Sequence, residues 1–322
     1  MNNIKNDKYL VVISGPTAVG KSATAVVLAK KFNSEIISAD SRQFYREMNI
    51  GTAKPSIEEL REVRHHFINS LSIYDDYNAS MFAVEAEKLL KILFKKMNVV
   101  FLVGGSGLYI NALCNGFDSM PEKDTAIRNE LNFLYKQEKI IALQKLLLEK
   151  DPEYYKIVDL NNPHRLIRAI EVCLLTGKTY SSLRKTNSSS AIHQIKKEDT
   201  QKKDFSIVKI GLTVSKEILH ERINTRVDKM MAEGFLEEVK KIFSHRKLNS
   251  LQTLGYKELF DYIENKTNLV TAVELIKLHT RQFAKRQMTW FRKDKEIKWF
   301  DTNDEKSIVQ IFLYLQEKLN NE

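Results

Sequence analysis

Cysteine is scarce in this chain of 322 residues, which contains only Cys114 and Cys173. Two cysteines without metal-ligand spacing provide neither a disulfide framework nor a thiolate metal site, so we expect buried thiols in a reducing compartment. Long apolar runs are also absent, since no stretch approaches the roughly 20 residues that span a membrane. Residues 1–8 are polar and do not resemble a secretory signal. We therefore expect a cytoplasmic protein with no membrane partner.

The composition excludes a disordered chain, because 43% of the residues are hydrophobic. The length is sufficient for a large core and suggests one or two domains with an insertion. The formal net charge of +10 favours a polyanionic partner, of which nucleic acid is the best fit. No extended amphipathic seam stands out in the sequence, so we expect a monomer.

The most informative motif is a phosphate loop with the pattern G-x-x-x-x-G-K-[ST]. It consists of Gly15, Pro16, Thr17, Ala18, Val19, Gly20, Lys21 and Ser22. The apolar run before it predicts a buried strand and residues 23–32 predict a helix, which is the context that this motif requires. Backbone N–H groups, the helix N-terminus and Lys21 would hold phosphate groups, and Ser22 would hold Mg²⁺ on them. We predict a diphosphate or triphosphate ligand with Mg²⁺ as cofactor.

An acidic residue is missing where nucleotide hydrolases of this class carry one. Their second hydrophobic strand normally ends in an acid that helps to hold Mg²⁺. The best such strand here, residues 99–103, is followed by Gly104-Gly105-Ser106-Gly107. This difference indicates a phosphate-bearing substrate used in another chemistry, or a small-molecule kinase whose acid lies elsewhere.

The order of predicted elements indicates an α/β protein. Strands at 9–14, 34–38 and 99–103 alternate with helices near 23–32, 56–66 and 80–97, which favours a parallel sheet covered by helices. Helices at 126–150 and 162–176 follow without a strand between them, and residues 187–204 read as a mobile loop. A strand at 205–212 resumes the core, and the chain is mostly helical from residue 216. We predict a P-loop NTPase-like core formed by residues 1–117 and 200–322, with a mostly helical insertion at 118–199.

Two polar residues follow predicted strands of this sheet. Ligands of open parallel sheets bind beyond the carboxyl ends of the strands, so the phosphate loop, Asp40 and Ser106 should share one cleft. There Asp40 could act as general base on an incoming nucleophile, and Ser106 could hydrogen-bond to the same group. The alternatives are a helix cap for Asp40 and a small turn residue for Ser106.

Basic residues recur in three later helical segments. Arg222 and Arg226 are four residues apart, so they share a helix face. They form either a solvated salt-bridged surface or a contact with a leaving diphosphate. The segments at 164–168 and 281–293 combine basic residues with apolar or aromatic residues, a pattern that suits either RNA contacts or core packing.

Together, these residues resemble the tRNA dimethylallyltransferases from residue 10 to about residue 293. The resemblance rests on an ordered series of segments: 15–22, 37–45, 48–55, 65–68, 104–109, 165–172, 226–230, 252–258 and 284–292. It implies transfer of the dimethylallyl group of dimethylallyl diphosphate to N6 of adenosine 37 in tRNA, beside the anticodon. An isoprenoid diphosphate would explain the missing acid, because no phosphoryl group is transferred.

The resemblance also implies roles for individual residues. Asp40 would accept the N6 proton with help from Ser106, while Lys21, Arg226 and Mg²⁺ on Ser22 would stabilise the leaving diphosphate. The target base must flip out of the stack to reach the cleft. The residues implied in tRNA binding are Asp40, Ser41, Arg42, Gln43, Ser106, Arg128, His164, Arg165, Leu166, Ile167 and Arg168. His164 departs from the family pattern, since many relatives have Gln there.

Other functions are compatible with part of this pattern. A P-loop kinase of a nucleoside or small metabolite would transfer phosphate from ATP, and a related prenyltransferase would modify a free adenine nucleotide. A non-catalytic RNA-binding module would tolerate loss of Asp40. The intact Lys21, Ser22 and Asp40 favour an enzyme, and the helical insertion favours a macromolecular acceptor.

Overall fold

The computed structural model of the protein describes residues 8–116, 120–184 and 203–320. By its internal contacts the chain divides into two compact units, one formed by Met1–Gly116 with Lys202–Glu322 and the other by Phe117–Gln201. We call the first the core unit and the second the helical unit. Of the loop predicted at 187–204, only Lys203 and Asp204 lie within the described residues.

The core unit is built on a six-stranded, fully parallel sheet with the strand order β3-β2-β4-β1-β5-β6. The strands are β1 (Tyr9–Ser14), β2 (Ile36–Ser38), β3 (His65–His66), β4 (Val99–Gly104), β5 (Ser206–Thr213) and β6 (Lys298–Asp301). Every residue of β1 is buried, as expected of a central strand covered on both faces. The predicted α/β class is confirmed.

Thirteen α-helices lie within the described residues. They are α1 (Lys21–Lys31), α2 (Ile57–Glu62), α3 (Ala79–Leu93), α4 (Gly107–Asn115), α5 (Thr125–Lys150), α6 (Pro152–Tyr155), α7 (Pro163–Thr176), α8 (Tyr180–Leu183), α9 (Lys216–Ala232), α10 (Phe235–Ile242), α11 (Tyr256–Ile263), α12 (Leu269–Phe291) and α13 (Ser307–Asn320). Helices α5 to α8 belong to the helical unit and the others to the core unit.

The alternation of side chains along β1 divides the apolar core into two layers. Val11 and Ile13 lie in a cluster with residues of α1, α9 and α13, whereas Leu10 and Val12 lie in a cluster with residues of α3 and α4. Ser14 pairs with Gly104 and Gly211, so β1 and β4 end level with each other, while the parallel strand β5 runs on beside them to Thr213. Loops that follow these strands therefore emerge at one edge of the sheet.

Two short strands were not predicted. The helix expected near 56–66 ends at Glu62 because Val63 is extended, with φ −139° and ψ 136°, and His65–His66 then pair with Ile36 and Ile37 as an edge strand. Strand β6 interrupts the region expected to be mostly helical. Both strands are short, and their pairing depends on neighbours that are distant in sequence.

The helical unit packs mainly through α5 and α7. Its core includes Leu143, Leu147, Leu166 and Ile170. Asn162 caps the start of α7 by accepting a hydrogen bond from the backbone N–H of Arg165, and Pro163 follows at the first helical position, where proline is tolerated. No helix among residues 8–116, 120–184 and 203–320 is long and apolar enough to cross a membrane.

Candidate active site

The phosphate loop lies between β1 and α1, as predicted. Gly20 has φ +103°, a left-handed conformation that other residues rarely adopt, and it turns the chain into α1. Lys21 donates a hydrogen bond to the carbonyl of Pro16, with Nζ and O 2.7 Å apart. The ammonium group thus lies back over the loop whose N–H groups would hold an anion.

A second cation reaches the same loop from α9. Nη1 of Arg226 lies 3.0 Å from Oγ1 of Thr17 and donates a hydrogen bond to it. Arg222, one turn earlier, donates to the hydroxyl of Thr302 at 3.2 Å and lies 3.5 Å from the carbonyl oxygen of Val19. Of the two arginines that share this face, Arg226 is the one that contacts a side chain of the loop.

Lys21 and Arg226 are not fully neutralised by negative charge in their surroundings. Burial and then the charge of Arg226 lower the pKa of Lys21 to about 7, against the opposing effect of Asp40. Burial also lowers the pKa of Arg226, again against Asp40. A partly dehydrated cation is destabilised unless an opposite charge compensates it. One carboxylate faces two cations here, so an anionic ligand in the loop would stabilise the site.

Asp40 and Ser106 follow β2 and β4 and lie close together. Oγ of Ser106 accepts a hydrogen bond from the backbone N–H of Ser41 at 3.0 Å and donates to the Ser41 hydroxyl at 3.3 Å. Oδ1 of Asp40 accepts from the backbone N–H of Arg42 at 2.9 Å. Oδ2 of Asp40 makes no hydrogen bond with any described residue. One carboxylate oxygen is therefore held and the other is available to accept a proton.

Two neighbouring side chains are already engaged within the protein. The guanidinium of Arg42 donates to the carbonyl of Ser250 at 3.0 Å. The buried amide of Gln43 accepts from the Ser38 hydroxyl at 3.1 Å and donates to the carbonyl of Ala53 at 3.1 Å. The Gln43 side chain therefore stabilises the conformation of the segment that follows β2. A contact between Gln43 and RNA would have to come from its backbone atoms.

A buried glutamine that we had not predicted as a site residue joins the two sides of the cleft. Oε1 of Gln287 accepts from the backbone N–H of Thr17 at 2.8 Å, and Nε2 donates to the carbonyl of Gly105 at 2.9 Å. A Cβ atom at position 105 would collide with this amide, so glycine at that position allows the Gln287 amide to approach the turn. The available signal in the sequence was a polar residue between two apolar positions of α12, Ala284 and Phe291, which are also buried.

The residues present fit a magnesium ion that is held mainly by the substrate. Ser22 is the second residue of α1, and its hydroxyl makes no hydrogen bond with any described residue. Within the part of the chain that the structure describes, no group of three or more His, Cys, Asp or Glu side chains could hold a metal ion. Mg²⁺ characteristically uses few protein ligands and completes its octahedron with phosphate oxygens and water.

The residues predicted to bind tRNA in the helical unit divide into two groups. Leu166 and Ile167 are buried in its core, which supports a packing role for their side chains, and their predicted contact with tRNA stays a prediction. His164 and Arg165 are exposed on the first turn of α7. On this turn, the side chains of His164 and Arg165 are accessible to a ligand, and those of the next two residues are buried.

Arg128 and Arg168 are both bound to one buried carboxylate. Arg128 forms two hydrogen bonds with Glu171, at 2.7 and 2.9 Å, and Nη1 of Arg168 donates to Oε2 of Glu171 at 2.7 Å. Glu171 is fully buried and also accepts from the backbone N–H of Asp124 at 2.9 Å. These contacts support a structural role for both arginines, and their predicted contact with tRNA stays a prediction.

The core unit defines an α/β protein of the P-loop class, in which the phosphate loop adjoins a carboxylate and a hydroxyl that follow neighbouring strands. The model of the IPP transferase family matches residues 43–294. The tRNA dimethylallyltransferase of Christiangramia forsetii is 47% identical over 97% of this chain and 99% of its own length. The tRNA dimethylallyltransferase 1 of Bacteroides fragilis is 45% identical over the same shares.

A solved structure agrees with these relatives. The crystal structure of the tRNA isopentenylpyrophosphate transferase of Bacillus halodurans matches with a TM-score of 0.70 and 36% identity, covering 98% of this chain and 97% of that one. The chain belongs to the IPP transferase family, whose matching curated members are named tRNA dimethylallyltransferases.

Proposed function

We propose that this enzyme transfers the dimethylallyl group of dimethylallyl diphosphate to N6 of adenosine 37 in tRNA and releases diphosphate. The observation that carries the proposal is the position of the Asp40 carboxylate beside the phosphate loop, near enough to act electrostatically on both Lys21 and Arg226. A proton acceptor and an anion site in one cleft suit the attack of a weakly acidic amine on a carbon that bears a diphosphate leaving group.

On the donor side, the loop amides, Lys21 and Arg226 would bind the diphosphate. The bond between the allylic carbon and the bridging oxygen breaks, and the leaving diphosphate takes the electron pair. Fixed cations that face developing negative charge lower the barrier, because they need no reorganisation during the reaction. Mg²⁺, bound by the Ser22 hydroxyl and phosphate oxygens, would supply further charge neutralisation.

On the acceptor side, a new bond forms between N6 of the adenine and the allylic carbon. The N6 proton passes to Asp40, whose Oδ2 has no other hydrogen bond within the described residues. Ser106, held by Ser41, would orient the amino group through its hydroxyl. The base must leave the anticodon-loop stack to reach these groups.

The remaining parts of the proposal concern partners and place. Exposed His164 and Arg165 support contact between the helical unit and RNA phosphates. We propose that the enzyme acts as a monomer in the cytoplasm, where its buried free thiols Cys114 and Cys173 would stay reduced.

The test is to incubate the protein with unmodified tRNA, Mg²⁺ and labelled dimethylallyl diphosphate, and in parallel with labelled ATP. We expect label on a single adenosine, identified after nuclease digestion as N6-(dimethylallyl)adenosine. Asp40→Asn should lower kcat by about 10²–10⁴-fold. Asparagine can keep the hydrogen bond from the Arg42 N–H, so the variant should fold and bind the diphosphate. Transfer of phosphate from ATP, with no isoprenoid transfer, would instead support the kinase.

A further inference from the structure

The buried face of α12 carries one polar residue that the proposed chemistry does not use. Gln287 lies between Ala284 and Phe291 on this face, and only 7% of its surface is exposed. Burying an amide is unfavourable unless both its oxygen and its nitrogen are hydrogen-bonded. Here both are, and their partners belong to two different loops.

The first partner lies on the donor side of the cleft. Oε1 of Gln287 accepts from the Thr17 N–H, while the Thr17 hydroxyl accepts from Arg226. Backbone and side chain of Thr17 are thus both fixed. Gln287 consequently helps to set the position of the phosphate loop and of the arginine that contacts it.

The second partner lies on the acceptor side. Nε2 of Gln287 donates to the carbonyl of Gly105, which directly precedes Ser106. The Ser106 hydroxyl binds Ser41, the neighbour of Asp40. A single side chain therefore connects the loop that would hold the leaving group with the turn that would hold the attacking amine.

We propose that Gln287 is a positioning residue that sets the distance between the bound diphosphate and the Asp40–Ser106 pair. The inference rests on the proposed function. Prenyl transfer needs the nitrogen and the allylic carbon aligned at roughly 3–3.5 Å, and an error of about 1 Å can cost about 10²-fold in rate. Gln287 contacts neither reacting group and acts through the two loops.

The main variant is Gln287→Met, which keeps the length of the side chain and removes both hydrogen bonds. We expect kcat for prenylation of tRNA to fall about 30-fold or more, within the range that misalignment can produce. The KM for dimethylallyl diphosphate should stay within about threefold, because the cations that bind it remain. Gln316→Met, at an exposed glutamine on α13, is the matched control and should behave as the wild type.

A second variant guards against a packing artefact. Gln287→Glu keeps an acceptor for Thr17 but loses the donor to Gly105 while ionised. Protonation of the carboxyl restores that donor, so the ratio of variant to wild-type kcat should rise as the pH falls. A role in packing alone would not produce this pH dependence.

A double-mutant comparison tests the route through the turn. If Gln287 acts by holding Ser106 in place, Ser106→Ala should cost several-fold less in the Gln287→Met background than in the wild type. Equal costs in both backgrounds, or a Gln287→Met enzyme within twofold of the wild-type kcat, would overturn the inference. An inactive wild type would instead overturn the proposed function and, with it, this inference.

Discussion

The Arg226 guanidinium donates a hydrogen bond to the Thr17 hydroxyl, with Nη1 and Oγ1 3.0 Å apart. The contact attaches α9 to the phosphate loop and places a fixed positive charge beside the proposed diphosphate site. Replacing Arg226 by Gln should therefore lower kcat by about 10²–10³-fold, the usual cost of losing one group that stabilises developing negative charge. Steady-state rates with labelled dimethylallyl diphosphate and unmodified tRNA measure this loss.

The control for this variant is Lys229→Gln, because Lys229 is a cation on the same helix whose side chain is 72% exposed and pairs with Glu233. It should keep the wild-type kcat. If both variants lose activity equally, the effect comes from the overall charge of α9, and Arg226 has no special role.

Lys21 should make the binding of dimethylallyl diphosphate depend on pH. Burial and the charge of Arg226 lower its pKa to about 7 in the free protein, and a bound diphosphate would raise that pKa again. Binding thus favours the protonated lysine. The Kd should be nearly constant below pH 7 and rise above it, by up to about tenfold per pH unit, because the proton must then be taken up. Calorimetric titration between pH 6 and about 9 measures this slope.

The Lys21→Arg variant distinguishes the titration of Lys21 from that of the ligand, because ionisation of the ligand affects binding to both proteins alike. Arginine stays charged over this pH range. The ratio of the wild-type Kd to the variant Kd should therefore increase above pH 7. A ratio that does not change with pH would show that Lys21 remains protonated in the free protein.

The phosphate loop and its neighbours were predictable because their signals are local. Strand, glycine-rich turn and helix are adjacent in sequence, and Asp40 and Ser106 each follow a recognisable strand. The parallel order of these strands then brings the three loops to one edge of the sheet. Gln287 escaped prediction because its partners Thr17 and Gly105 are 270 and 182 residues away along the chain.

Charge in the helical unit illustrates a second limit of the sequence. Arg128 and Arg168 are predicted to contact tRNA, and the structure adds that both bind Glu171, which lies 43 residues from Arg128 along the chain. Similarly, β3 has only two residues and exists because His65 and His66 pair with β2. Features that depend on distant partners become visible only in the folded chain.

Glu171 should stabilise the helical unit. Burial alone would raise its pKa, but hydrogen bonds from Arg128, Arg168 and the Asp124 N–H prevail and lower the pKa below the ordinary value of 4.5. Glu171→Gln would leave two arginines without their carboxylate, which typically costs about 3–5 kcal/mol for a buried pair. Urea unfolding followed by far-UV circular dichroism should show an earlier transition.

Tryptophan fluorescence is the internal reference, because both tryptophans, Trp290 and Trp299, lie in the core unit. Its transition should move less than the dichroism signal.

Because the folded-state pKa of Glu171 is lowered, the stabilisation that Glu171 provides is present above pH 4.5 and lost as the pH falls through the folded-state pKa. The variant should not show this loss. Glu149→Gln, on an exposed site of α5, should match the wild type at every pH.

Arg165 should contribute to tRNA affinity through charge. Its side chain is exposed at the start of α7, and its guanidinium makes no hydrogen bond with any described residue, whereas Arg168 is bound to Glu171. Arg165→Gln should weaken binding of all tRNA substrates similarly and reduce the slope of log K against log salt concentration by about one, as expected for one lost phosphate contact. Filter binding at several salt concentrations measures both quantities. Lys156→Gln, which removes a cation paired with Glu153 on the same unit, should leave the slope unchanged. If Arg165→Gln leaves it unchanged as well, the first turn of α7 does not face the RNA backbone.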